Sequence, residues 1–193
     1  MAFPARFRDS LALTLLLVAC GTTQPPQWQS DAAQAMASFQ RAYLGGDTER
    51  AEVEFRAARK ELASTGRADL VARAELVRCA ARSASLEFDD CPGFLALKDG
   101  AGAEELRYAE YLAGRGRYAG GDDPLSRLVA ESVRFRTGGI DPAGIARAVE
   151  VASAQGWRRP LLAWLGVQLK RAEAAGDSET AERIRRRMAL VSG

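Results

Sequence analysis

The 193-residue sequence contains no histidine. Without it the commonest general base and the commonest metal ligand are gone, and neither a Ser-His-Asp triad nor a Cys-His pair can be built within this chain. Lysine is almost as scarce. It occurs at Lys60, Lys98 and Lys170, and none has a serine three residues before it, so the Ser-x-x-Lys arrangement is absent too. The densest glycine stretch, Gly114-Arg-Gly-Arg-Tyr-Ala-Gly-Gly121, lacks the Gly-Lys-Ser/Thr ending of a phosphate loop. A net charge of +2 gives no electrostatic reason to expect nucleic acid as a partner. Cysteine occurs at positions 20, 79 and 91, and two thiolates without histidine do not complete a tetrahedral zinc site, so no metal or other cofactor is expected. Proline and β-branched residues are few, and no alternating apolar pattern marks a strand. No apolar run is long enough to cross a bilayer. Leu11 to Ala19 would reach about 14 Å as a helix, half of a ~30 Å hydrocarbon core.

That short run is nevertheless informative. Arg6 and Arg8 precede it, giving the positive flank and apolar centre of a secretory signal. It ends in Leu17-Val-Ala-Cys20, which resembles the lipobox of bacterial lipoproteins. The resemblance implies that residues 1–19 are removed and that Cys20 becomes the first residue. Cys20 would then carry a thioether-linked diacylglycerol and an amide-linked acyl chain such as palmitate. Each buried methylene contributes about 0.8 kcal/mol, so several chains anchor a protein where one does not. Gly21 in place of aspartate points to the outer membrane, on its periplasmic face. The alternatives are an ordinary signal peptide with a coincidental cysteine, or a buried N-terminal helix. Residues 20–30 are uncharged and carry Pro25-Pro26, the composition of an extended tether. Within it, Trp28 has two fates, the lipid headgroup level or a dock on the domain. Loss of Arg6, Arg8 and Asp9 with the leader brings the net charge from +2 to +1.

With Cys20 lipidated, Cys79 and Cys91 remain as an even pair in an oxidising compartment, which reads as a disulfide. Two separately buried thiols are the alternative. Ala, Arg, Leu and Glu dominate the rest of the chain, a helix-forming mixture, and residues 31–193 suit one all-α domain. Apolar residues recur every three or four positions over 31–44, 48–64, 67–84, 103–113, 124–136, 142–155, 160–175 and 177–191. Asp47, Asp123, Asp141 and Asp177 stand at cap positions, with Pro124 and Pro142 at the first helical residue of two helices. A short helical turn is expected at Pro92, and the glycine-rich link 114–122 reads as a mobile loop or a joint. Short links make successive helices antiparallel hairpins.

Two hairpins share a finer pattern, Gly46-Asp-Thr-Glu-Arg-Ala51-Glu52 and Gly176-Asp-Ser-Glu-Thr-Ala181-Glu182. With Phe55 and Ala58 in one, and Ile184 and Met188 in the other, they resemble the turn and second helix of a tetratricopeptide repeat. The copies stand 130 residues apart, not a multiple of the 34-residue period, and the Trp-x-x-Leu-Gly spacing of that family is missing. The resemblance implies hairpins stacked as an α–α superhelix; a helical bundle is the alternative.

Chemistry-bearing candidates are few. The paired carboxylates Asp89/Asp90, Glu104/Glu105 and Asp122/Asp123 could serve a glycan hydrolase, but Asp123 reads as a cap and Glu104/Glu105 as first-turn residues. The basic run Arg183, Arg185 to Arg187 reads as a solvated face, with Glu179–Arg183 and Glu182–Arg186 as pairs. Trp157 and Trp164, seven apart, are core by spacing, or partner anchors if exposed in a groove. The expectation is a lipid-anchored protein whose helical domain binds an envelope protein or peptide as a scaffold or assembly accessory. The alternatives are a carboxylate-based hydrolase and a passive structural lipoprotein.

Overall fold

A computed structural model describes residues 25–193. The leader and the lipobox with Cys20 lie outside the described residues. Among those described, no helix is long and apolar enough to cross a membrane.

The chain is all-α. Its helices are α1 (Gln27–Gly45), α2 (Thr48–Ala63), α3 (Ala68–Ala84), the single turn α4 (Pro92–Leu95), α5 (Ala103–Leu112), α6 (Pro124–Arg136), α7 (Pro142–Ala154), α8 (Arg158–Ala174) and α9 (Ser178–Ser192), with a 3-10 turn at Lys98–Gly100. The last residues of the tether expected over 20–30 are helical instead. Gln27 to Ser30 already form the first turn of α1, and Trp28 within it is half-buried. Pro26 caps α1 at φ −53°, a value compatible with helix entry.

Capping explains the boundaries. Asp47 accepts from Arg50 N at 3.0 Å, Asp141 from Gly144 N at 2.6 Å and Asp177 from Thr180 N at 2.9 Å, while Asp123 accepts from both Leu125 N and Ser126 N. The two repeat-like turns have the same geometry. Asp47 N donates to Ala42 O and Gly46 N to Tyr43 O; Asp177 N donates to Ala172 O and Gly176 N to Glu173 O. This closure needs a left-handed residue after the helix, and Gly46 and Gly176 supply it at φ +96° and +70°. Past each turn a small alanine, Ala51 or Ala181, is buried where the hairpin arms meet.

Packing centres on α3. Ala74 and Ala81 face Phe39, Tyr43 and Phe55 of the α1–α2 hairpin, while Ala72, Leu76, Ala80 and Ala84 face the core formed by α5 to α9. A helix buried on two sides needs small residues, which is why this one is so rich in alanine. Chain segments far apart in sequence also meet. α1 packs on α8, and Arg159 Nε donates to Tyr43 O at 2.7 Å while its Nη2 donates to Thr48 Oγ1 at 2.6 Å. In a linear stack each repeat touches only its neighbours. The α1–α8 contact closes these hairpins on themselves, an arrangement nearer the bundle than the open superhelix.

Charge is buried in a repeated way that hydrophobic periodicity does not reveal. Glu75 of α3, Glu105 of α5 and Glu131 of α6 are buried, and each is met by an arginine of a neighbouring helix: Arg59 at 3.0 Å, Arg73 at 2.6 Å and Arg147 at 2.9 Å. Each carboxylate also presses against a glycine, Gly93, Gly102 and Gly144 respectively, where a Cβ would collide with it. These glycines are there for space rather than for left-handed backbone.

Trp164 does not serve as a partner anchor. Its ring is fully buried, stands edge-on to Phe135 at 5.7 Å, and donates from Nε1 to Ala84 O at 3.0 Å. Trp157 begins α8 and is half-buried at the seam between the two halves of the core. Trp164 is thus a packing residue, while Trp157 packs on the core with part of its ring exposed.

A candidate tyrosine-lined binding cleft

A concavity of about 480 Å³ lies between α3, α5 and α6, under the link that joins α5 to α6. Leu76, Val77 and Ala80 of α3 and Leu125 and Val129 of α6 give it an apolar floor. Tyr108 and Tyr111, three apart on α5, project to the same side. Tyr118 arrives from the link. Its ring centroid lies 4.8 Å from that of Tyr108 and 5.9 Å from that of Tyr111, and the two α5 rings are 6.1 Å apart. All three are half-buried.

Local sequence explains why Tyr118 folds back. Gly114, at φ +80°, closes the end of α5 with Arg115 N donating to Glu110 O at 2.8 Å, and Gly116 turns the chain again at φ +76°. Tyr118 Oη then donates to Glu104 Oε1 at 3.0 Å, before Asp123 opens α6. The link is therefore the roof of a cleft, not a joint between domains: α5 and α6 on either side of it both pack on α3.

The carboxylates of this region have fixed duties. Arg73 grips Glu105 Oε1 with Nε and Nη2, at 2.9 and 2.6 Å. That pairing, opposed by burial, holds Glu105 below the ordinary glutamate value of 4.5. At Asp123 burial pushes upward, but hydrogen bonds from Ser126 and from the backbone N–H groups of α6 outweigh it and hold the group low. Burial raises the phenols of Tyr108, Tyr111 and Tyr118, reinforced by Tyr111 and Tyr118 at Tyr108 and by Glu104 at Tyr118. At neutral pH the cleft thus offers neutral rings and ionised carboxylates.

A depressed folded pKa stabilises the protein above the unfolded value and loses that contribution as pH falls through the folded one. For Glu105 the loss lies below about 4.5. Arg73→Met is expected to flatten stability in that acid window. At neutral pH it should cost about 1–3 kcal/mol, because the carboxylate stays buried without its partner. Urea unfolding of both proteins at neutral and acid pH reads both effects.

The other candidates are dispersed. Asp89 accepts from Cys91 N at 3.0 Å and pairs with Arg82 at 3.3 Å; Asp90 and Asp122 are exposed. Cys79 and Cys91 stand at disulfide distance with Cα atoms 5.8 Å apart. With Asp89 they form a group of ligand type, whose sulfurs would offer no thiolate to a metal once joined in a disulfide. Of the pairs expected on α9, Glu182–Arg186 forms at 3.6 Å, whereas Arg183 bonds Thr180 Oγ1. Neither tryptophan lines the cleft. No family model, curated protein or solved structure matches this chain. The tyrosines were the residues that sequence reasoning passed over. Tyr108, Tyr111 and Tyr118 account for three of the four tyrosines, clustered within eleven residues, and that concentration was the available signal.

Proposed function

We propose that the chain is a lipid-anchored envelope protein whose helical domain holds a peptide, or a segment of another protein, in the tyrosine-lined cleft. It would act as a scaffold or assembly accessory at the periplasmic face of the outer membrane. One observation carries the binding role: three mutually packed tyrosines, one delivered by the α5–α6 link, border a cleft at the edge of the core. Tyrosine gives a large, stiff contact surface with a polar end, and loses few rotamers when a partner covers it. The lipobox residues Leu17 to Cys20 support the anchor.

Hydrolysis is the reading less favoured. A glycosidase needs one carboxyl that keeps its proton near neutral pH. Glu105 and Asp123 are both held low, and Glu104 accepts the Tyr118 hydroxyl. A passive spacer, for its part, would have no use for the cleft.

A photo-crosslinking residue at Ala119, exposed on the rim, tests the reading in the native envelope. It is expected to capture one envelope protein reproducibly, and Tyr118→Ala should abolish the adduct without releasing the protein from membranes. Cys20→Ser should move the protein to the soluble fraction. No adduct from Ala119 would overturn the binding role; unchanged membrane association of Cys20→Ser would overturn the anchor.

A further inference from the structure

We infer that the cleft recognises an organic cation, the guanidinium or ammonium group of a basic side chain on the bound peptide, seated against Tyr108, Tyr111 and Tyr118. The inference rests on the peptide-binding reading above and specifies its ligand. The face of an aromatic ring carries negative potential, so it attracts a cation that approaches within about 6 Å of its centroid. This domain uses that attraction repeatedly. Arg78 lies 4.8 Å from the centroid of Phe55, Arg136 5.4 Å from Phe88 and Arg159 4.4 Å from Tyr43. Among the described residues no guanidinium sits in this way over the three cleft tyrosines, which pack on one another and line the cavity.

Charge around the cleft agrees. Its ionisable lining other than tyrosine is Arg73 against Glu104, Glu105 and Asp123, and Arg73 is already committed to Glu105. What remains for a ligand is negative, from Glu104 and Asp123. Glu104 Oε1 accepts only the Tyr118 hydroxyl among the hydrogen bonds present, leaving its second oxygen to meet an N–H donor. The rings hold the flat face of the cation and the carboxylate its edge, while the apolar floor of Leu76, Val77 and Val129 suits the methylenes of an arginine or lysine stem.

A random heptapeptide library panned against the purified Cys20→Ser protein tests this. Bound peptides are expected to share an arginine or lysine at one fixed place. Titration of the best peptide should show at least a tenfold loss when that residue becomes citrulline or norleucine. Glu104→Gln and Tyr118→Leu should each weaken the parent peptide at least tenfold with unchanged helical circular dichroism, and leave the citrulline peptide unaffected. Two variants on different elements keep the result readable if one folds poorly. Binders without a basic residue would overturn the cation inference and leave peptide binding standing. Agmatine binding as tightly as the peptide would leave the cation seat standing and overturn the peptide reading, and recovery of no binders would overturn both.

Discussion

Trp164→Ala is expected to be the most damaging single substitution in the domain, lowering stability by about 3–5 kcal/mol. The ring is fully enclosed between Phe135 and the C-terminal end of α3, so truncation leaves a cavity that helices on several sides cannot all move to fill. It also strips the donor from the Ala84 carbonyl, at the point where α3 ends and its last turn has no further intrahelical partner. For a domain of this size each kcal/mol shifts the melting temperature by roughly 2–4 °C, so a drop on the order of 10 °C is expected. Trp164→Phe separates the two contributions. It keeps most of the apolar contact and loses the hydrogen bond, and should cost about 1–2 kcal/mol. Thermal unfolding followed by circular dichroism measures both. A loss below about 1 kcal/mol for the alanine variant would place this ring outside the core.

The same residue shows where sequence reading reaches and where it stops. Helix boundaries were legible because they are local. Four aspartates at caps, two prolines at first positions and glycines after helix ends set them within a few residues of the helices observed. Whether Trp164 faced solvent was not local. Its spacing from Trp157 fits either answer, and only the arrival of α3 and Phe135, from far earlier in the chain, decides it. The buried glutamates were illegible for a related reason. Glu75, Glu105 and Glu131 occupy core-facing positions that a hydrophobic pattern assigns to apolar residues, and each is tolerated because an arginine of another helix and a glycine meet it there. The cleft was half legible. Tyr108 and Tyr111 share a face by spacing alone, but Tyr118 joins them through two glycine turns and the Glu104 hydrogen bond. A glycine-rich link by composition reads as slack; here its geometry is that of a roof. The two matching turns were legible as turns, but a turn motif fixes how two arms meet and not which distant arm packs on them.

Reduction of the Cys79–Cys91 pair is the second large effect expected. The two residues lie 12 apart, so the bond closes a loop worth about 3 kcal/mol in the chain-entropy view. Its loss should lower the melting temperature of the purified protein by roughly 6–12 °C. The segment inside the loop depends on it further. Among the described residues, Leu86 and Cys91 are the non-glycine residues at positive φ, +60° and +50°, a backbone region that costs an L-residue energy unless its surroundings impose it. Here the imposing contacts are Cys91 N donating to Asp89, Arg82 pairing with Asp89, and Arg159 reaching Glu87 from α8. Unclamped, this segment should open before the rest, carrying with it α4 and its buried Phe94. Hydrogen exchange on the reduced protein is therefore expected to show protection lost first around Phe94 to Leu97, with α1 and α2 unaffected. Two separately buried thiols would behave otherwise: reductant would change neither melting nor exchange, and Cys91→Ala would cost only the packing of one small side chain. If the bond is there, Cys79→Ala, Cys91→Ala and the double variant should all melt at the temperature of the reduced protein, because each breaks the same covalent link.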